Sequence, residues 1–304
     1  MRAGTEMQIT AWLYPKSDGS RDQLLRAIHP EEFQFISARY GVRVGSPALE
    51  RIVEATDGAD GLGVSAGAVL SKAELQSLPF RELMCRSTAR ESDRDSERNN
   101  AACTATPLQD FGAEEPIRLF QGISLSRVKI KPNFVAGVGE WTDEYVLGRG
   151  VQQVFAAAGL SGYSLVPVVN PKTGSAWPEI AQIYSSSVLP RSMRDASIDR
   201  IESRFESENG KLRQLGCLAY APGDLEGRPD FNRTGEPWRW WGLPSWVVSS
   251  RVEHFFKQFR LRGWAFRPVF LAGSKLYEEY LGTWHELRRL VSKTGKSSFE
   301  GGRW

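Results

Sequence analysis

Three histidines, three cysteines and a glycine-rich stretch are the natural starting points for chemistry in this chain. A zinc site needs His or Cys ligands at fixed short spacings. His29, His254 and His285 have no partner at zincin spacing, and Cys85, Cys103 and Cys217 include no finger-type pair. Neither a metal nor a cofactor is expected. Gly61-Leu62-Gly63-Val64-Ser65-Ala66-Gly67 has the composition of a phosphate-cradling loop. That chemistry needs a strand before the glycines and a helix after them, so that backbone N–H groups face the anion. The preceding Glu54 to Asp60 stretch is no strand, so a surface loop is the reading here. Gly295-Lys296-Ser297 mimics the end of a P-loop, but the glycine required at position 290 is Leu. No Ser lies in a Gly-x-Ser-x-Gly elbow. His254 and His285 read as solvated helix positions, and Cys103 as an idle thiol.

A second kind of chemistry is recognition. Trp238, Trp240, Trp241 and Trp246 crowd into one stretch, with Arg239 between them and Arg233 just upstream. Tryptophan and arginine are the usual anchors of protein interfaces, although the same rings can close the edge of a core. Arg233, Trp238, Arg239, Trp240 and Trp241, with Arg267 on an outward strand face, are the predicted partner-binding residues.

These side chains are positioned by a segment that recurs without a gap at an offset of 101 residues. Val151, Phe155, Leu160, Gly162, Pro167 and Val168 return as Val252, Phe256, Leu261, Gly263, Pro268 and Val269. Tyr145-Val146-Leu147 returns as Trp246-Val247-Val248. Aromatic and β-branched residues open each segment as a strand. Val151, Val154, Phe155 and Ala158 then fall at i, i+3, i+4 and i+7, as do Val252, Phe255, Phe256 and Phe259, which gives one apolar helix stripe. Ser250 with Glu253 has capping-box spacing. After Gly162 or Gly263 the period becomes two. Tyr163, Leu165 and Pro167, or Trp264, Phe266 and Pro268, form the predicted core face. The prolines cannot donate a ladder hydrogen bond, so they belong at a strand end or edge. The prediction is an α+β protein with two strand–helix–strand units, about 145–168 and 246–269, on small, mostly antiparallel sheets.

The rest of the chain is read more coarsely. Residues 1–112 form an N-terminal α+β region, with a strand at Ile9 to Tyr14 and helices at Asp22 to Ile28 and Ala48 to Ala55. It ends in the charged run Arg86 to Asn100, which lacks apolar residues to bury and reads as a flexible loop. Residues 113–304 hold the two units, joined by an irregular 210–237 connection. Val128 to Ile130 alternates like a strand, Ser197 to Asn209 reads as an amphipathic helix, and Trp284 to Val291 as a closing helix.

Composition narrows the function. Net charge is +3 from 39 basic and 36 acidic side chains, whereas a nucleic-acid binder concentrates basic residues. No window reaches the roughly 18 consecutive apolar residues of a membrane helix. The first residues lack the apolar core of a secretory signal, and three widely spaced cysteines suit a reducing compartment. A cytoplasmic location is expected.

The segments VQQVFAAAGLSGYSLVPVV and VEHFFKQFRLRGWAFRPVF resemble a stretch common in bacterial polymorphic-toxin immunity proteins, in particular the myxobacterial double-CxxCG family and its relatives. The shared pattern is a strand, a serine, a helix with V..F, then L-x-G-x-x-F-x-P-V. Ser249 to Val269 follows it more closely than Val146 to Val168, and the match covers about 50 of the 304 residues. No Cys-x-x-Cys-Gly is present, so the zinc site of that family is not expected. The resemblance implies a cytoplasmic protein-binding module that neutralises a toxin partner without an active site. The competing class is a hydrolase or nucleic-acid-processing enzyme built from dispersed residues such as Asp143, Glu144 and His254.

Overall fold

The computed structural model describes residues 7–15, 17–36, 39–56, 62–85, 88–89, 99, 103–106, 117–138, 141–193, 198–200, 212–214, 217–236 and 244–292. In chain order the first elements are β1 (Gln8–Pro15), α1 (Asp18–Ala27), β2 (Gln34–Ile36), β3 (Arg39–Arg43), α2 (Pro47–Ala55), β4 (Leu62–Val69) and α3 (Lys72–Ser77). Next come β5 (Phe80–Cys85), β6 (Thr88–Ala89), β7 (Cys103–Thr106), β8 (Ile117–Phe120), β9 (Val135–Val138), β10 (Trp141–Gly148), α4 (Arg149–Ala157), β11 (Ser164–Val169) and β12 (Ala176–Tyr184). The chain continues through β13 (Ile198–Arg200), β14 (Leu212–Gln214), β15 (Ala219–Tyr220), α5 (Pro222–Leu225) and β16 (Phe231–Arg233). It closes with β17 (Trp246–Ser249), α6 (Ser250–Gln258), β18 (Trp264–Pro268), β19 (Phe270–Leu271) and α7 (Lys275–Ser292). The class is α+β, and the sheets are small and mostly antiparallel.

The chain divides into two compact units, but not at residue 112. One comprises 1–77, 193–221 and 270–304, the other 78–192 and 222–269. The sequence split fails because β5 pairs with β17 and β18, which carries residues 80–85 into the second unit.

In the first unit an antiparallel sheet runs in the order β2-β3-β1-β4. Leu49, Ile52 and Val53 on α2 are buried, as the 3.6-residue period requires. On α7, Tyr277, Tyr280, Trp284 and Leu287 form a buried stripe, and Tyr280 stacks on Phe270 with centroids 4.5 Å apart. Two expectations change here. Leu62 to Gly67, within the 61–67 stretch read as a loop, belong to β4, which pairs along its length with β1. Ile198–Arg200 is a strand paired with Leu212–Gln214, where a helix was expected, and residues 201–209 lie outside the described ones.

The second unit carries both recurring segments. β10, α4 and β11 have the bounds of β17, α6 and β18 shifted by 101, apart from the longer start of β10 and differences of one residue at the start and two at the end of the last strand. The residues before the helices match too: Gly148 has φ −67° and ψ 156°, Ser249 φ −63° and ψ 155°. β10 and β11 both run antiparallel to β12, which lies between them. β17 and β18 both run antiparallel to β5, which lies between them. Each is thus a split β-α-β arrangement, with β9 or β16 added outside.

The two sheets grip each other through the turns. The Val135 N–H donates to the Arg262 carbonyl at 2.8 Å, and the Phe231 N–H donates to the Ser161 carbonyl at 3.1 Å. The Gly148 N–H reaches the Phe134 carbonyl, and the Ser249 N–H reaches that of Asp230, both at 2.9 Å. Gly162 (φ 82°) and Gly263 (φ 109°) follow these turns. A Cβ at Gly162 would come 2.6 Å from the Phe231 carbonyl, and one at Gly263 would overlap that of Val135. Glycine is required at both for conformation and for space.

One core spans the two segments. Val151, Phe155, Leu160, Val252, Phe256 and Leu261 are buried together with Leu83, Tyr145, Leu147, Phe231, Trp246 and Val248. Trp264 is the hub, with the rings of Tyr145, Phe155, Phe231 and Phe256 between 5.4 and 6.4 Å away. Such pairs add about 0.5–1.5 kcal/mol each beyond area burial. A second cluster, with Ile123, Leu125, Val138, Val146 and Val168, covers the other face of β10.

Several local expectations are corrected in this unit. Leu165 and Pro167 are exposed and Val168 is buried, because β11 is a sheet edge and the first core takes Tyr163 only in part. Ser249, not Ser250, precedes α6, and Glu253 turns to Arg81 instead of back to a cap. Val128 and Ile130 are in no strand and pack on the second cluster from an irregular segment. The 210–237 connection contains α5 and β16.

Candidate functional site

The polar residues of the second unit form buried pairs. Arg233 on β16 is 1% exposed; its Nη2 donates to Glu144 Oε1 at 2.7 Å, and its guanidinium lies 4.3 Å from the Trp246 ring centroid. The second Glu144 oxygen accepts from Gln182 Nε2 at 3.2 Å, and Gln182 Oε1 accepts the backbone N–H of Gly122 at 2.9 Å. On β5, Arg81 Nε donates to Glu253 Oε2 at 2.6 Å while Nη1 serves the Leu78 and Phe80 carbonyls. The neighbouring Glu82 lies 3.5 Å from Arg267 Nη1. Asp230 ties the two segments together. It accepts from the Ser161 N–H at 2.9 Å and from Ser249 Oγ at 2.5 Å, and it pairs with Arg251 at 3.1 Å. Charges taken out of water persist only when paired and hydrogen-bonded in this way.

Glu236 is the least compensated member. It is 1% exposed, and its Oε2 accepts the Ser192 N–H at 3.1 Å. Its Oε1 has no hydrogen-bond partner among the described residues. Burial pushes its pKa up to about 7; the Ser192 hydrogen bond and Arg191 pull the other way, and Glu82 adds to the rise.

This arrangement reassigns the sequence candidates. Arg233 cannot be a partner anchor, since it is buried and engaged by Glu144 and Trp246. Its place on β16, between Val188 on one side and Trp246 on the other, explains why a residue in a Gly- and Pro-rich stretch ends up inside. Trp246 is likewise core. Arg267 is half-buried beside Glu82. Trp238, Arg239, Trp240 and Trp241 lie outside the described residues. Of the dispersed trio, Glu144 is buried against Arg233, His254 is exposed on α6 with its ring 5.9 Å from Phe255, and the side chain of Asp143 is outside the described set. Cys85 Sγ accepts the Gly137 N–H at 3.0 Å, Cys217 is buried, and the Cys103 side chain is not described. Most of the charged run 86–100 is also outside the description. Among the described residues no group of three or more His, Cys, Asp or Glu could hold a metal ion, and no helix is long and apolar enough to cross a membrane.

On the outward face of α6 and the turn after it, Phe259, expected on the apolar stripe, lies at the helix end and is exposed, and the 101-residue offset marks the face. Gly150, Gln153, Ala156, Ala158, Gly159 and Ser161 on and after α4 correspond to Arg251, His254, Lys257, Phe259, Arg260 and Arg262. Small neutral residues in one segment are basic or aromatic in the other. Phe259 is 49% exposed and stacks on Phe255 with centroids 6.3 Å apart. Arg260 adopts φ 52°, the left-handed region that Gly159 occupies at φ 60°. For a non-glycine residue that costs about 1 kcal/mol. Arg251 and Lys257 are paired with Asp230 and Glu253; among the described residues Arg260 and Arg262 have no ion pair.

No protein-family model matches the chain, and no curated protein matches it.

Proposed function

We propose that this chain is a cytoplasmic protein-binding module of the immunity type, which neutralises a partner toxin by direct binding, and that its two strand–helix–strand segments are copies of one unit. The observation that carries this reading is the contrast between the segments. Equivalent core positions such as Val151 and Val252, Phe155 and Phe256, Leu160 and Leu261 keep their residues and the others stay apolar, while equivalent outward positions on the helices differ in size and charge. A duplicated scaffold with one elaborated outer face is what recognition of a specific protein needs, because interface energy concentrates in a few aromatic and arginine anchors on an otherwise passive surface. The internal commitment of Arg81, Glu82, Glu144, Arg233 and Glu253 supports a structural role for the buried charges, and nothing in the placement of Glu144 or His254 favours the hydrolase.

The test starts at the neighbouring reading frame: a metabolic operon there counts against the reading, and a large toxin-like gene there is co-expressed with this chain. Growth is restored by this chain and the two proteins co-elute as a stoichiometric complex if the reading holds. Continued toxicity with soluble chain present overturns it.

A further inference from the structure

The sharpest asymmetry in the second unit lies on α6, and it points to the chemistry of the partner. The stretch from Arg251 to Arg262 carries four Arg or Lys residues, one histidine and a single carboxylate, Glu253, which is buried on Arg81. The equivalent stretch from Gly150 to Ser161 carries no charge. Two of the four cations are used internally. Arg260 and Arg262 flank the turn and have no ion pair among the described residues, and Phe259 lies exposed beside them, backed by Phe255 against the core. Arg260 holds a left-handed conformation in which glycine is the unstrained choice, and the other segment has glycine there. An arginine kept at a strained position, next to an exposed phenylalanine and a second arginine with no ion pair among the described residues, is not explained by the stability of the fold.

We infer that His254, Phe255, Phe259, Arg260 and Arg262 form the docking surface for an acidic protein segment bearing one apolar anchor. The anchor packs on the Phe255–Phe259 pair, and two carboxylates meet the two guanidinium groups. This rests on the protein-binding reading above and adds its location and the partner's charge. A nucleic acid fits less well. Two guanidinium groups make a short track for a polyphosphate, and the exposed aromatic ring is already stacked on its neighbour.

The test converts the second face into the first. The variant Phe259→Ala, Arg260→Gly, Arg262→Ser gives α6 the residues that follow α4. A control, Arg127→Ser with Arg149→Gln, removes two exposed charges elsewhere in the unit. The probes are a fluorescein-labelled peptide of Asp-Glu-Leu-Glu repeats and a labelled single-stranded oligothymidylate, titrated against full-length protein. Expected is peptide binding that the triple variant weakens by about thirtyfold or more and the control leaves within a few-fold, with no fall in the thermal midpoint of either. Equal weakening in variant and control overturns the proposal, as does preference for the oligonucleotide or failure to bind the peptide. The triple variant is also assayed against the neighbouring toxin. Full protection by it refutes this surface and leaves the immunity reading intact. Peptide binding as expected, with no protection even by the wild type, refutes the immunity reading and leaves the surface.

Discussion

Replacing Glu236 by Gln should stabilise the protein at neutral and alkaline pH and do nothing in acid. The ordinary value for this carboxyl is 4.5, and burial raises it to about 7 in the folded chain. Each pKa unit is 1.36 kcal/mol, so the difference corresponds to about 3 kcal/mol. The direction follows from proton counting. Below pH 4.5 both folded and unfolded chains hold the proton, and the group contributes fully to stability. Between 4.5 and about 7 the unfolded chain releases its proton while the folded chain keeps it, so stability falls as pH rises. Above about 7 the ionised carboxylate sits buried beside Glu82, with the Ser192 N–H and Arg191 as its compensation, and the whole penalty is in place. Glutamine reproduces the protonated shape without the charge. Urea unfolding of wild type and variant, followed by tryptophan fluorescence across this range, should give midpoints that coincide near pH 4.5. The unfolding free energies should diverge to as much as about 3 kcal/mol in favour of the variant at about pH 8. A pH-independent gap, or a variant less stable at about pH 8, would refute the reasoning.

Other outcomes are equally specific. Glu144→Ala removes the 2.7 Å ion pair of buried Arg233 and should cost about 3–5 kcal/mol, whereas Glu32→Ala, which removes the exposed pair with Arg51, should shift the urea midpoint far less; both are read by urea denaturation. Gly263→Ala should destabilise by about 3 kcal/mol or more, since its Cβ meets the Val135 carbonyl, while Gly159→Ala, with open space around it, should cost about 1 kcal/mol. Arg260→Gly should raise the thermal midpoint, relieving up to about 1 kcal/mol of backbone strain.

How far the sequence could be read depended on the range of the interaction. Val151, Phe155, Val252 and Phe256 declare their helices because one stripe of local spacing is enough, and all four are buried. The same local rule failed at Leu165. Alternation says that one face of β11 is apolar; it does not say that β11 is a sheet edge, where that face is left to solvent. The largest gap was β5. Nothing in Phe80 to Cys85 announces that this strand lies between β17 and β18, more than 150 residues away. Without that pairing, Arg81 and Glu82 look like surface charges, although one holds Glu253 and the other sits beside Arg267. Asp230 and Glu236 were hidden for a different reason. They stand among Gly, Pro and Asp residues, a composition that signals irregular chain but does not reveal whether that chain is buried.

The two turn glycines, Gly162 and Gly263, explain why the segments stay alike inside while they diverge outside. Each turn, at Ser161-Gly162 and Arg262-Gly263, is clasped by backbone hydrogen bonds to the opposite sheet, at β16 or at β9 and the residues before it. A change at either glycine therefore strains the other segment's strand, and a change at Phe155 or Phe256 disturbs the shared Trp264 hub. Mutual engagement of this kind holds both segments to one geometry. The outward positions of the helices carry no such obligation. Ala158 and Phe259 follow the same helical path, but the Ala158 methyl packs on the core while the Phe259 ring is exposed. Asp230 shows where the two demands meet: one carboxylate receives Ser161 of the first turn, and Ser249 and Arg251 at the start of the second helix. The root of α6 is thereby fixed to the shared scaffold, while beyond its far end the side chains of Phe259, Arg260 and Arg262 are exposed and can change without cost to the core.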